Sequence, residues 1–264
     1  MNYSLVLFGL AVLFFALLFV AIQMGRRIGI RQDPSEKEPS RPGSAAIEAS
    51  VFALLGLLVA FTFSGAAERM AERRNFLVQE ANAIGTAWLR IDMVSGEDQP
   101  VLRDQFRRYV DERINYERNI ANRGRRDEIV VKTGLIQQEI WATSMQAAKR
   151  SIPPFAVSYV GAVNDMLDAS TTLMAAQKVH PPLVTYLFLG FLALVCGCFV
   201  GINLGQGKRG SIFHQMIYAI VMTVALYIII DFEFPRVGII RIDQSDALLI
   251  SQREAMGNPS GAVK

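Results

Sequence analysis

Four long apolar blocks, at residues 4–24, 45–67, 182–204 and 212–230, constrain this chain more than any other feature of its sequence. Each is close to the roughly 20 apolar residues that carry a helix across a hydrocarbon core of about 30 Å. Composition points the same way: 52% of the 264 residues are hydrophobic, 19% are charged, and the mean hydropathy is +0.28. That is too apolar for an ordinary soluble enzyme. The blocks predict an all-α, multi-pass membrane protein with four transmembrane helices.

The first block is longer than the apolar core of a secretory signal, about 7 to 15 residues, and no basic segment precedes it. "MGRRIGIR" after it offers no small-residue cleavage site, so it reads as a retained span. Cys196 and Cys198 lie two apart within the third block, where a helix points them to different sides and a bridge cannot form. They read as small buried hydrophobes.

Residues 68–181 form the one large polar region. They carry 16 Lys and Arg against 15 Asp and Glu, which is richly charged but no nucleic-acid footprint. Its pattern is helical. After the break at "SGEDQP", Leu102, Phe106, Tyr109, Val110 and Ile114 recur with a 3.6-residue period, and Pro100 suits a first helical turn. "NRGRRDE" is expected to end that helix. Leu135, Ile136, Ile140, Trp141 and Met145 are expected on the inner face of the next, and "SIPPF" breaks the chain again. Val160, Val163, Met166, Leu167 and Met174 mark another helix over about 156–177, and residues 231–264 form a polar tail, disordered toward its end.

Little in the chain resembles catalytic machinery. The two histidines, His180 and His214, are far apart, with no cysteine or carboxylate spaced to complete a metal site. "GINLGQGKRG" fails as a phosphate loop: the earlier Gly is missing, Arg209 replaces the Ser/Thr, and it joins two apolar blocks rather than a strand and a helix. No enzyme activity, cofactor or metal is expected.

The second block passes into charge through "FTFSGAAERMAERR" with Gly65 as its only break signal, which predicts a span continuing as one helix into the polar region. At about 100° per residue, Ala53, Leu57, Phe61, Ser64 and Glu68 fall within an arc of roughly 80°. In an oligomer with this helix at the axis, Ala53, Leu57 and Phe61 would form an apolar neck, with Ser64 and Glu68 a polar mouth. Such necks can gate by dewetting, and acidic rings favour cations. The same face would also serve simple packing against another span.

"GLLVAFTFSGAAERMAERRNFLVQEANAIG" resembles the bestrophin-like family of bacterial membrane proteins and, more distantly, the bestrophin ion channels. In those channels the second span runs into a "(D/E)RWWEAR"-type helix. Here the counterpart is Glu68-Arg69-Met70-Ala71-Glu72-Arg73-Arg74, without the tryptophans. "DFEFPRVG" at 231–238 resembles the bestrophin "ENPFG" region. The resemblance implies a homo-oligomer, pentameric in bestrophins, whose second spans line an ion pore. Bestrophin neck residues precede the motif arginine by eight, twelve and sixteen positions, which from Arg69 gives Phe61, Leu57 and Ala53. Ala53 departs from the bulky aliphatic of bestrophins. Asp231 and Glu233 correspond to an acidic tail element that helps to hold calcium in animal bestrophins, so they are candidates for a tail cation or gating element. Read from the residues alone, they are interfacial carboxylates meeting Arg236 or arginines of the helical region.

The implied partners are further copies of the chain, inorganic ions and the bilayer of the inner membrane, with no nucleic acid. The alternative is a non-conducting membrane sensor or scaffold whose helical region binds a partner. Charge leaves the side of that region open: Arg26, Arg27, Arg31, Lys37, Arg41, Lys208 and Arg209 oppose Arg69, Arg73, Arg74, Lys178, Arg236 and Arg241. The resemblance implies the cytoplasm.

Overall fold

A computed structural model describes residues 3–31, 42–120, 122–206, 212–234 and 243–257. Among these are eight α-helices and no strand: α1 (Tyr3–Arg31), α2 (Pro42–Arg90), α3 (Gln99–Arg118), α4 (Arg123–Lys149), α5 (Pro153–Ala176), α6 (Leu183–Gln206), α7 (Ile212–Glu233) and α8 (Asp243–Ala255). A short 3₁₀ turn, Ile91–Met93, follows α2. Helices α1, α2, α6 and α7 are long and apolar enough to cross a membrane. The unbroken α2 is 49 residues long, about 74 Å at 1.5 Å per residue.

The chain divides into two compact units, one holding Asn2–Met70 with His180–Ile240, the other Ala71–Val179 with the segment from Arg241. In the first, α1 packs most extensively against α6, and also against α7. The α1–α6 seam is made of glycines. A Cβ placed on Gly25 would overlap the Cys198 carbonyl oxygen, one on Gly29 that of Ile202, and one on Gly201 that of Ile22. Both helices carry glycines at four-residue spacing, Gly25 and Gly29 on α1 and Gly197, Gly201 and Gly205 on α6. In lipid, where apolar contact between helices gains nothing over contact with acyl chains, such close backbone approach is what holds a pair together. Gly201 and Gly205 of the failed phosphate loop therefore have a packing role. Leu18, Ile22, Leu55, Leu189, Cys196 and Ile229 fill the rest of this core.

The second unit closes around Leu77, Ile84, Leu102, Phe106, Tyr109, Ile140, Tyr159, Met166 and Leu249. The expected stripe on α3 is realised, with Leu102, Phe106, Tyr109 and Val110 at 0% exposure and a proline in its first turn. Helix α8 seats Gln252 against Gly85, where a Cβ would lie 2.9 Å from the Gln252 Oε1.

Two expectations about α4 are corrected. "NRGRRDE" does not end α3, which stops at Arg118. Asn122 instead caps α4, its side-chain oxygen accepting a hydrogen bond from the Arg125 N–H at 3.3 Å, and the cap outweighs the helix-weakening Gly124. The inner face of α4 is also not the expected one. Leu135, Trp141 and Met145 are exposed, and the buried positions are Ile129, Thr133, Ile136, Ile140, Ser144 and Ala147. Thr133 and Ser144 can face inward because their hydroxyls are satisfied, by the Ile129 carbonyl at 2.8 Å and the Tyr159 hydroxyl at 2.9 Å. Counting apolar letters alone places the stripe about one residue off.

Candidate functional site

The five stripe residues of α2 share one face, and that face is open. Phe61 is 66% exposed and Leu57 52%; Ala53, Ser64 and Glu68 are exposed as well. The opposite face carries Leu55 and Ala66, buried with α1, α6 and α7. Among the described residues, no other span covers the stripe. Thr62, on the same side as Leu55 and Ala66, turns its hydroxyl back onto the Leu58 carbonyl at 2.7 Å, the usual way for a threonine to meet its hydrogen-bond need inside an apolar helix.

One residue beyond Glu68, a charged clamp forms. Arg69 donates through Nε and Nη2 to both carboxylate oxygens of Glu233 at the end of α7, at 2.8 to 3.3 Å, the paired fork geometry that makes arginine–carboxylate bonds strong. Glu233 is fully buried. His180, just before α6, lies with its Nδ1 3.0 Å from Glu233 Oε1 and stacks on Phe234 at 4.7 Å between ring centres. Gly65 lies beside the clamp: a Cβ there would meet the Arg69 Nη1 at 3.1 Å and press on the guanidinium. The residue that looks like a weak break in the sequence is the space into which Arg69 folds.

The next arginine on the motif has a different task. Arg73, 5% exposed, donates to the Ala176 and Val179 carbonyls at 3.3 and 2.9 Å, satisfying acceptors at the end of α5 and complementing its dipole. Glu72 and Arg74 are exposed.

Asp231 is also buried, at 1% exposure. The carboxylate of Glu233 is taken up by Arg69 and His180, which makes it an anchor between chain segments. Among the described residues no group of three or more His, Cys, Asp or Glu is placed to hold a metal ion. The rest of the tail element, 235–238, lies outside the described residues, as do Lys37, Arg41, Lys208, Arg209, Arg236 and Arg241.

A second charged centre lies inside the helical unit. Arg113, fully buried, donates to Glu80 at 2.6 and 2.9 Å and to Glu117 at 3.2 Å, and Tyr109 donates to Glu80 at 3.4 Å. The guanidinium lies 4.9 Å over the Tyr116 ring, whose hydroxyl donates to Gln177 at 2.7 Å. Burial alone would lower the Arg113 pKa, but the Glu80 and Glu117 carboxylates hold it above its usual value. Burial, and then the Glu80 charge, raise Tyr109. Arg113 therefore stays cationic and Tyr109 neutral at neutral pH, as in a structural network. Asn82, two residues after Glu80, is exposed.

Four apolar helices of bilayer length, one of them carrying an open stripe that ends in charge, define a multi-pass helical membrane protein. The bestrophin-like domain matches residues 12–247, and the chain belongs to the bestrophin-like family. No curated protein and no solved structure gives a match.

Sequence reasoning offered the arginines of 68–181 as partners of Glu233 but did not single out Arg69, and it missed His180. Arg69 and His180 lie 164 and 53 residues from Glu233, and no periodicity links such distant positions. The glycine seam did leave a signal, the four-residue glycine spacing in "GRRIG", "GCFVG" and "GINLG".

Proposed function

We propose that the chain is the subunit of a passive ion channel, a homo-pentamer in which five copies of α2 surround the pore. Ala53, Leu57 and Phe61 form its apolar neck, and Ser64 and Glu68 its mouth. The observation that carries this reading is the open face of α2: five residues spaced for one stripe are exposed while the other side of the same helix is packed. A face that ends in Ser64 and Glu68 is poorly suited to acyl chains, and neighbouring subunits would cover it. The Arg69–Glu233 clamp supports the reading by fixing the helix one residue beyond Glu68. In this arrangement α1, the first part of α2, α6 and α7 cross the inner membrane, and residues 68–181 lie outside the bilayer, in the cytoplasm. Glu233 acts through the clamp as part of a gating element that Asp231, two residues earlier on α7, would share, and no catalytic step is assigned.

Reconstitution in planar bilayers tests the reading. Wild type should pass current, Phe61→Ala should raise conductance by widening the neck, and Glu68→Gln should reduce the preference for cations. Absence of current, or indifference to both substitutions, refutes it. One observation favours the non-conducting alternative: Val131 and Leu135, one turn apart on α4, are 66% and 56% exposed, apolar positions that a partner could use. Mass measurement in detergent separates the two, because a monomer has no central pore.

A further inference from the structure

Two buried donors near one end of the spans have no acceptor among the described residues. Gln215, one turn into α7, is fully buried. Its Oε1 accepts a 2.8 Å hydrogen bond from Gln23 of α1, while its Nε2 has no partner. Three residues after Gln23, and so on the same face of α1, Arg26 has its Nε buried and equally without a partner. Both atoms can only donate, so the complement they lack is an acceptor, and an anionic one for the guanidinium.

Their position narrows the choice. The apolar run of α1 ends at Met24 and is followed by Arg26, Arg27 and Arg31, the last two exposed. Helix α6 ends at Gln206 and α7 starts at Ile212, so Gln215 and Arg26 lie where the spans emerge from the apolar core. The glycine seam holds the backbone there, since a Cβ on Gly201 would sit 2.8 Å from the Arg26 amide nitrogen. Leu17, Val20 and Met24, on the turns leading up to Arg26, are 46 to 58% exposed, an apolar surface on the same helix suited to acyl chains. Among the described residues, the Glu48 carboxylate near the start of α2 accepts from Asn203 at 3.0 Å.

We propose that Arg26 and Gln215 bind the phosphate oxygens of an anionic phospholipid headgroup, with Arg27 and Arg31 adding positive charge and the exposed face of α1 receiving an acyl chain. Basic pockets between spans at the membrane surface commonly hold such headgroups. The site depends on the four spans and not on conduction, so it stands whether or not the channel reading does.

The test uses the full-length protein, purified in neutral detergent and stripped of lipid, with thermal unfolding followed during titration. Phosphatidylglycerol should raise the midpoint at concentrations where phosphatidylcholine and inorganic phosphate do not. Arg26→Gln should weaken the apparent affinity for phosphatidylglycerol about tenfold or more, as loss of a charge-assisted hydrogen bond implies, with Arg26→Lys between it and wild type. If Arg26→Gln fails to fold, Gln215→Leu carries the test: it removes the unpartnered donor together with the oxygen that accepts from Gln23, and should weaken the response to phosphatidylglycerol measured against the variant's own lipid-free midpoint. Equal effects of phosphatidylglycerol and phosphatidylcholine, or an unchanged response in both Arg26→Gln and Gln215→Leu, overturn the site. Protection by inorganic phosphate equal to that by phosphatidylglycerol overturns its assignment to a lipid.

Discussion

The two units close their cores by different means. The helical unit buries large side chains, Phe106, Tyr109, Tyr159 and Met166, around a fully buried Glu80–Arg113–Glu117 cluster. The membrane unit brings α1 and α6 together by removing side chains, so that backbone meets backbone at Gly25, Gly29 and Gly201. The difference follows from the solvent each set of helices faces. In water, burying apolar area stabilises a core by about 25 cal/mol per Å². In lipid that gain vanishes, and close van der Waals fit takes its place.

The comparison can be broken most sharply at Arg113. Arg113→Met leaves Glu80 buried without its cation, and we expect a loss of about 3–5 kcal/mol, read as a lower unfolding midpoint. Simultaneous replacement of Glu80 and Glu117 by apolar residues should recover much of it. If Arg113→Met alone is neutral, the buried charge is not what organises this core.

Gly201→Ala probes the other principle. One methyl group there overlaps the Ile22 backbone, and forcing two helices apart should cost about 2–3 kcal/mol, seen as loss of folded protein in detergent. A comparable loss on changing Gly56, where an added Cβ meets nothing within 4 Å, would show that glycine content and not the seam is what matters.

Alkaline pH should act on the helical unit. Burial pushes the Tyr159 hydroxyl up to about 12 from its ordinary 10, partly offset by its bond to Ser144. A pKa raised on folding contributes stability that is complete below the unfolded value and is lost as pH rises through the folded one. Stability should therefore fall between about pH 10 and 12, and Tyr159→Phe should flatten that part of the profile. The smallest effect is expected at Leu135. Because it is exposed in α4, Leu135→Ser should change stability by no more than about 0.5 kcal/mol, whereas Ile140→Ala should cost about 2–5.

Most of the helices were legible in the letters, because their signals are local. Spans show as apolar blocks, the α3 stripe as a 3.6-residue period, and the continuity of α2 as the missing break around Gly65. The α4 face was misread because Thr133 and Ser144 look polar until the Ile129 carbonyl and the Tyr159 hydroxyl that satisfy them are known. At the candidate pore, the sequence was enough to put five residues on one stripe. It could not show that Arg69, one position further, grips Glu233 from a helix 164 residues away.

Sequence by itself thus determined an all-α membrane chain, its four spans and the unbroken α2, since hydrophobic length and helical period are properties of neighbouring residues. Tertiary structure alone decided which face of α2 stays open, which glycines carry the seam, and where Glu233, Arg26 and Gln215 find or lack partners. Those outcomes depend on distances between segments far apart in the chain, and such distances are set only when the helices pack.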